Sequence, residues 1–200
     1  MTVIAPPPAR RTQAERSEAM RTRLAAAAYE VVAEGGLKAL RLRAVADAAG
    51  VSQGALLHHF PDKNALIMVA VEQALSLARD DSTALLGEAP DGAEATLKAM
   101  LAEFRAFFFS DRFWVAMGIT MEAAKDPEFF PSVRRQVAAL RNPIYAAWGD
   151  RLIAAGWSAQ VASRIVRSGA ALVSGGAIRR FWAEEDDVSS AVEADWLSSQ

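Results

Sequence analysis

Hydrophobic and polar positions repeat with the period of an α-helix along most of the chain. Few runs alternate with the period of two that a half-buried strand shows, and Gly and Pro fall between the periodic segments. The pattern predicts an all-α protein with helices over about residues 12–35, 43–49, 53–59, 63–86, 93–109, 112–124, 128–154, 159–183 and 188–198. Pro143 falls inside the seventh segment, where proline is expected to kink or split a helix.

The first periodic segment carries boundary signals at both ends. Thr12 followed by Glu15 is a capping-box pattern, and Gly35-Gly36 is expected to end the helix. Residues 1–11 contain three consecutive prolines and the pair Arg10-Arg11, which predicts a disordered basic arm. The two arginines are either simply solvated or add non-specific attraction to phosphate.

The second and third predicted helices have the spacing of a helix-turn-helix over residues 41–60. Ala46 is small enough for the two helices to contact each other, and Gly50 tolerates the positive φ of the turn. Leu56 is placed to pack into the core of the motif. Ser52 is a suitable N-cap for the second helix of the motif. In such a motif the N-terminal end of this helix enters the major groove of DNA.

Charge is distributed unevenly, which supports this interpretation although the net charge is −2. Residues 1–63 carry nine Lys and Arg against six Asp and Glu, whereas the rest of the chain carries 13 against 18. A positively charged N-terminal region followed by a negatively charged remainder is the distribution that a DNA contact confined to one end of the protein requires.

Composition excludes several other classes of protein. The chain of 200 residues is 52% hydrophobic, enough to bury a sizeable core, and it has no cysteine for a disulfide or thiolate metal site. No signal peptide and no membrane-spanning run is recognisable, so a cytoplasmic protein without a membrane partner is expected. His58 and His59 are the only histidines, so no metal site is expected, and no cofactor motif or catalytic constellation is present.

The segment GVSQGALLHHFPDK at residues 50–63, together with RRTQAER at 10–16, resembles the DNA-binding region of the TetR family of transcriptional regulators. The matching region covers residues 12 to about 72, and the rest of the chain resembles the family in length and helical content. The resemblance implies a DNA-binding domain at 12–62 and a ligand-binding and dimerisation domain at 63–200. It also implies contacts with a double-stranded DNA operator by Arg41, Arg43, Ser52, Gln53, Gly54, Ala55, Leu57, His58, His59 and Lys63.

These implied contacts divide by chemistry. Gln53 and Gly54 would approach base edges, and Ala55 could meet a thymine methyl group. Lys63 and the backbone N–H groups at the start of its helix would bind phosphate. His58 and His59 would hydrogen-bond phosphates or bases.

Two positions depart from the family pattern. The family commonly has Thr near the N-cap of the second helix, where this chain has Arg41 and Leu42. It also commonly has Tyr where Leu57 stands, and the missing hydroxyl removes a phosphate hydrogen bond of net value roughly 0.5–1.5 kcal/mol.

The body is rich in large side chains that are either simple core or the lining of the ligand cavity that the resemblance implies. The candidates for contact with an unknown small apolar or aromatic effector are Phe104, Phe108, Trp114, Met117, Met121, Tyr145 and Trp148. Arg105, Glu122 and Asn142 are weaker candidates for polar anchors.

Small residues in the penultimate helix permit close helix contacts, either within one chain or between the two chains of a homodimer. The resemblance implies the dimer, with Ala171, Ser174, Gly175, Trp182 and Trp196 as interface candidates.

These features predict a sequence-specific DNA-binding transcription regulator, a repressor that a small ligand releases from a pseudo-palindromic operator. The alternative is a ligand-sequestering or scaffold protein with weakened DNA binding, which the departures at Arg41 and Leu57 keep open. An enzyme on a helical bundle is not expected, because no catalytic motif is present.

Overall fold

The computed structural model describes residues 12–181 and 187–200, and the regular structure in these two ranges is entirely helical. The helices are α1 (Gln13–Ala39), α2 (Leu42–Ala49), α3 (Gln53–His59), α4 (Lys63–Glu88), α5 (Ala93–Phe108), α6 (Asp111–Ala123), α7 (Phe130–Ala154), α8 (Ala159–Arg179) and α9 (Asp187–Ser198). The all-α prediction is confirmed, and most predicted boundaries fall within two residues of these. The predicted arm at 1–11 lies outside the described residues.

Side-chain caps fix where several helices begin. Thr12 and Glu15 form the predicted capping box, with the Thr12 hydroxyl accepting from Glu15 N at 3.2 Å and the Glu15 carboxylate accepting from Thr12 N at 2.6 Å. The first helix therefore has two of its free N–H groups satisfied. Ser52, Asp62, Ser110 and Ser158 cap α3, α4, α6 and α8 in the same way, each accepting from the backbone N–H three residues on.

The two predicted interruptions have different outcomes. Gly36 adopts φ 66° and ψ 179°, so the regular helix breaks there as predicted, and a short helical turn continues to Ala39. Pro143 does not split α7, which runs unbroken from Phe130 to Ala154. Pro143 leaves the carbonyl of Ala139, four residues earlier, without its helical donor, and because Ala139 is exposed that carbonyl can be hydrated.

Helix α4 runs from the DNA-binding end of the chain into the body. Its buried residues extend from Leu66 near the first turn to Ser82 near the last, and it packs against α1, α5, α6 and α7. Helix α8 packs on α5 and α7, and α9 packs on α8. One hydrophobic core therefore connects the helix-turn-helix to the rest of the protein through α4.

Candidate DNA-binding surface and effector site

The turn between α2 and α3 depends on Gly50. Its backbone is left-handed, with φ 62° and ψ 42°, and its N–H donates to the carbonyls of Ala46 and Asp47. Val51 N also donates to Ala46 O, at 2.9 Å. A Cβ built on Gly50 would lie 3.0 Å from Nη2 at the end of the long, exposed Arg23 side chain, so the left-handed conformation, rather than the space, favours glycine.

Helix α3 is held by one apolar face and presents the other to solvent. Leu56 is completely buried, and Phe60, just after the helix, is almost so. The side chains of Gln53, Leu57 and His58 are exposed, as is Gly54, while Ala55 and His59 are half-buried. The exposed face therefore contains the residues expected to meet bases and phosphates.

Other predicted contact residues border this face. Ser52 is exposed and caps α3, with its hydroxyl 3.2 Å from Ala55 N. Lys63 is exposed in the first turn of α4. Arg43 is exposed and 3.6 Å from Asp47, and Arg41 occupies the N-cap of α2 without a side-chain capping bond, as its departure from the Thr pattern suggested.

Two further arginines of α1 reach the motif. The Arg21 guanidinium lies 5.2 Å from the ring centroid of Phe60, and Arg23 lies against Gly50. Both arginines are exposed. Neither was among the predicted DNA contacts, because only the packing of α1 on α2 and against Phe60 brings residues 21 and 23 beside residues 50 and 60.

In the body, a buried polar cluster joins three helices. Arg141 of α7 donates from Nη1 and Nη2 to the two carboxylate oxygens of Glu103 in α5, at 2.8 and 3.1 Å. Trp148 Nε1 donates to Glu103 at 3.1 Å, and Ser82 of α4 donates to Glu103 and accepts from Arg141 at 3.1 Å. Glu103 is 1% exposed and Arg141 is 7% exposed, so this is an ion pair within the core.

Aromatic rings surround the cluster. The Arg141 guanidinium carbon lies 4.1 Å from the ring centroid of Phe107 and 4.9 Å from that of Tyr145, with Phe104 and Phe108 just under 6 Å away. Four predicted pocket residues are thus brought together around Arg141, namely Phe104, Phe108, Tyr145 and Trp148.

The other three pocket candidates lie elsewhere. Trp114 contacts Phe181 edge to face and lines a surface groove of about 540 Å³ between α1 and α6. Met117 is half-buried on α6, and Met121 is 66% exposed. The seven candidates therefore do not form one lining.

The weaker anchor candidates are also outside the cluster. Arg105 donates a hydrogen bond to Glu193 at 2.8 Å, and Asn142 lines a groove of about 630 Å³ between α7 and α8.

Glu122, the third of these candidates, lines the groove between α1 and α6. The hydrogen bond and charge of Lys125 hold the pKa of Glu122 below its ordinary value, with a smaller contribution from the charges of Lys38 and Lys63.

Sequence reasoning missed Ser82, Glu103 and Arg141. A signal was present, because Arg141 interrupts an apolar stripe that includes Val137, Ile144 and Trp148. A charge within such a stripe indicates a buried ion pair, but the pattern alone does not identify its partner.

The predicted interface residues of α8 and α9 have mixed environments. Ala171 is exposed, Ser174 and Gly175 are half-exposed, and a Cβ on Gly175 would meet nothing within 4 Å. Trp196 instead packs within the chain, 3.3 Å from the Cβ position of Gly169. Trp182 lies outside the described residues.

Comparison with known proteins agrees with this architecture. The sequence model described as bacterial regulatory proteins, tetR family, matches residues 24–68. The HTH-type transcriptional regulator CymR of Pseudomonas putida is 32% identical over 180 residues, covering 90% of this chain and 88% of CymR. The chain belongs to the TetR family. The TetR-type region also resembles the HTH-type transcriptional repressor KstR2 of Rhodococcus jostii, 41% identical over 64 residues that make up 32% of this chain and 30% of KstR2.

The fold of this TetR-family regulator matches solved structures over nearly its whole length. A transcriptional regulator from Rhodococcus sp. Rha1 superimposes with a TM-score of 0.63 at 25% identity, covering 90% of this chain and 94% of that one. The protein is therefore a DNA-binding transcriptional repressor of the TetR type. No described helix is long and apolar enough to cross a membrane, and the described residues contain no group of three potential metal ligands.

Proposed function

We propose that the regulator binds a pseudo-palindromic operator as a homodimer and releases it when a small effector enters the body. The observation that carries the DNA-binding part is the exposed face of α3, held rigidly by the buried Leu56 and the Ser52 cap. The proposed contacts are the ten residues named from the sequence, with Arg21 and Arg23 added from the structure.

The contacts divide into two kinds. Gln53, Gly54 and Ala55, at the start of α3, are placed to approach base edges in the major groove. Lys63, Arg21, Arg23, Arg41 and Arg43 supply exposed positive charge around them and would bind phosphate.

A homodimer would present two such faces to one operator. The exposed side of α8 at Ala171, Ser174 and Gly175 supports this, because small residues allow two helices to approach closely. The two α3 helices are then expected about 34–36 Å apart, one turn of B-DNA, or somewhat more.

Helix α4 supplies the connection between effector and operator. Lys63 lies in its first turn, and Ser82 lies nineteen residues later in the buried cluster, about 28 Å along a straight helix. An effector that changes the bonds of Ser82 would shift α4 and with it the position of α3. Such an effector would act as a population shift between operator-competent and operator-incompetent states.

The test is a mobility shift at several salt concentrations on DNA upstream of the protein's own gene, combined with selection from random sequence. A single preferred pseudo-palindrome with strongly salt-dependent affinity is expected. Binding without sequence preference in both experiments would contradict the proposal and favour a ligand-sequestering role.

A further inference from the structure

We infer that Glu122, in the last turn of α6, restrains DNA binding, because its carboxylate attracts Lys38 and Lys63 at the DNA-binding end of the chain. This inference rests on the proposed function, since it concerns how strongly the same surface binds phosphate. Glu122 belongs to the body and acts through the two lysines, so it is a positioning residue. Its effect is on affinity for DNA of any sequence and not on the choice of operator.

Both lysines lie at helix ends that adjoin the helix-turn-helix. Lys63 is the first residue of α4, shortly after the end of α3, and is one of the proposed phosphate contacts. Lys38 is in the last turn of α1, three residues before Arg41, the N-cap of α2. The two side chains are exposed, so a phosphate and a nearby carboxylate can compete for them.

The end of α6 meets this region because α6 packs on both α1 and α4. Glu122 and Lys38 line the same surface groove between α1 and α6. At the other end of α6, Arg112 donates to Leu77 O in the middle of α4, at 3.2 Å. Helix α6 therefore begins against the middle of α4, and its last turn carries Glu122 to the end of α1.

The electrostatics of Glu122 agree with this placement. The hydrogen bond and charge of Lys125 hold the pKa of Glu122 below its ordinary value, and the charges of Lys38 and Lys63 lower it further. Exposed charges are screened over about 8–10 Å at ordinary ionic strength, so both lysines lie within roughly that range of the carboxylate. The attraction is mutual, and the carboxylate therefore also stabilises the two ammonium groups in their present positions.

Lys125 weakens the field of Glu122 without removing it from the groove. The two side chains are 2.6 Å apart and are 72% and 47% exposed, respectively, and an exposed pair of this kind is only weakly held. Glu122 is part of the groove lining that includes Lys38, whereas Lys125 is outside that lining. The negative end of the pair is therefore the end nearer to α1.

A phosphate that binds Lys63 has to overcome the attraction of this ammonium group to Glu122. The phosphate also approaches a carboxylate of its own sign, whose charge then has to be compensated by cations from solution. Uptake of cations opposes the counterion release that drives DNA binding. Removal of the carboxylate charge is therefore expected to strengthen DNA binding and to make it more strongly dependent on salt.

The experiment compares Glu122→Gln with the parent, both as full-length protein, by fluorescence anisotropy at several salt concentrations. The DNA probes are the selected operator and an unrelated duplex of the same length. Because glutamine keeps the size and the acceptor oxygen of glutamate, only the charge is removed. Affinity for both duplexes is expected to rise about two- to fivefold at low salt, and the gain should shrink as salt increases.

Glu94→Gln is the matched control. Glu94 is also an exposed glutamate that accepts from a lysine of its own helix, Lys98, at 2.5 Å, and this lysine likewise lowers the pKa of Glu94. It lies in the first turn of α5, beyond the end of α4, which extends about 37 Å from Lys63. The same charge is removed far from the DNA-binding end, so both affinities should remain those of the parent.

Lys38→Ala and Lys63→Ala test whether the carboxylate acts through the lysines. Glu122→Gln is introduced into the protein that carries both substitutions, and its gain in affinity should then largely disappear. Thermal unfolding of every variant is measured on the same preparations. A gain in affinity without a change in thermal stability is a result that a merely structural role of Glu122 would not produce.

Three results would overturn the inference: Glu122→Gln binds DNA no more tightly than Glu94→Gln, its gain does not depend on salt, or the gain persists in full when both lysines are absent. Loss of sequence preference in the parent would overturn the proposed function, and the effect of Glu122→Gln could still be measured on the unrelated duplex. A sequence-specific parent whose affinity is unaffected by Glu122→Gln would overturn only this inference.

Discussion

Glu103 and Arg141, 38 residues apart in sequence, form a two-bond ion pair in the core of the body. Removing two charges from water is costly, and the pair is tolerated because Ser82 and Trp148 add hydrogen bonds to the carboxylate. The pair fixes the registry of α5, α7 and, through Ser82, α4. A buried pair of this kind need not add net stability, because well-packed apolar residues of similar volume often stabilise a core as much.

Removing one member of the pair should therefore lower the free energy of unfolding strongly, and removing both members should lower it much less. Arg141→Met leaves the carboxylate of Glu103 buried without its counter-ion and is expected to lower the free energy of unfolding by about 3–5 kcal/mol. Glu103→Gln combined with Arg141→Met removes both charges and keeps one side-chain oxygen to accept from Trp148, while the Ser82 hydroxyl can turn to accept from the new amide. Urea unfolding at one fixed protein concentration should show most of the stability restored. A loss in the double variant equal to the sum of the losses in Arg141→Met and Glu103→Gln, each measured alone, would mean that the two residues are not energetically coupled.

At the DNA-binding end of the protein, Lys63 is expected to contribute to DNA affinity through its charge alone. Lys63→Ala should weaken binding to specific and non-specific DNA alike and reduce the slope of log K against log salt by about one. Lys98→Ala is the control, because Lys98 is an exposed lysine of α5 paired with Glu94, far along the chain from the motif. Filter binding over a range of salt concentrations measures both. An unchanged slope for Lys63→Ala would remove this residue from the phosphate contacts.

The helix-turn-helix was predictable because its determinants are local. Ala46, Gly50, Ser52 and Leu56 lie within eleven residues, and the structure gives each the predicted conformation or burial. The capping box at Thr12 and the break at Gly36 were predictable for the same reason.

The polar cluster was not predictable in the same way, because it depends on distant residues. Glu103 and Arg141 meet only when α5 and α7 pack, and each reads separately as an ordinary charge on a helix. Pro143 shows a related limit. Its effect on α7 is decided by the exposure of the neighbouring backbone, which only the packed structure gives.

Leu57 offers a gain-of-function test at the recognition helix. Its side chain is 42% exposed on the face that would meet DNA, where the family commonly has tyrosine. Leu57→Tyr should tighten DNA binding by about 0.5–1.5 kcal/mol, because the added hydroxyl can bond a phosphate. Leu57→Phe supplies the ring without the hydroxyl and should not show this gain. Equal affinities for the two variants, measured by fluorescence anisotropy on one operator, would show that the hydroxyl meets no phosphate.

The exposed face of α8 can be tested with a substitution that the monomer tolerates. A Cβ at Gly175 meets nothing within 4 Å, so Gly175→Arg should leave the helical content unchanged. In a dimer that brings two α8 helices together, the long charged side chain would separate them. Sedimentation should then show a monomer with weakened operator binding. Gly87→Arg, at another helical glycine with open space around it, is the control and should stay dimeric. A dimer of normal stability in Gly175→Arg would place the interface elsewhere.

Gly50 and Gly54 lie four residues apart, and alanine is expected to impair a different property at each position. Gly50→Ala should lower stability, whereas Gly54→Ala should weaken operator binding. Gly50→Ala forces a side chain into a left-handed conformation, at about 1–2 kcal/mol, and brings its Cβ close to Arg23. This variant should lose stability in thermal unfolding and lose DNA binding as a consequence. At Gly54, inside α3, a Cβ would meet only Ser52 Oγ at 3.9 Å, so Gly54→Ala should fold at least as stably as the parent.

The Gly54→Ala protein should nevertheless bind its operator at least about tenfold more weakly, because its methyl group stands where the backbone would approach the bases. Unfolding and operator affinity measured on the same preparations separate the two glycines. A Gly54→Ala protein with normal stability and normal affinity would show that the backbone at Gly54 keeps its distance from the bases, and base recognition would then fall to exposed side chains long enough to reach them, such as those of Gln53 and His58.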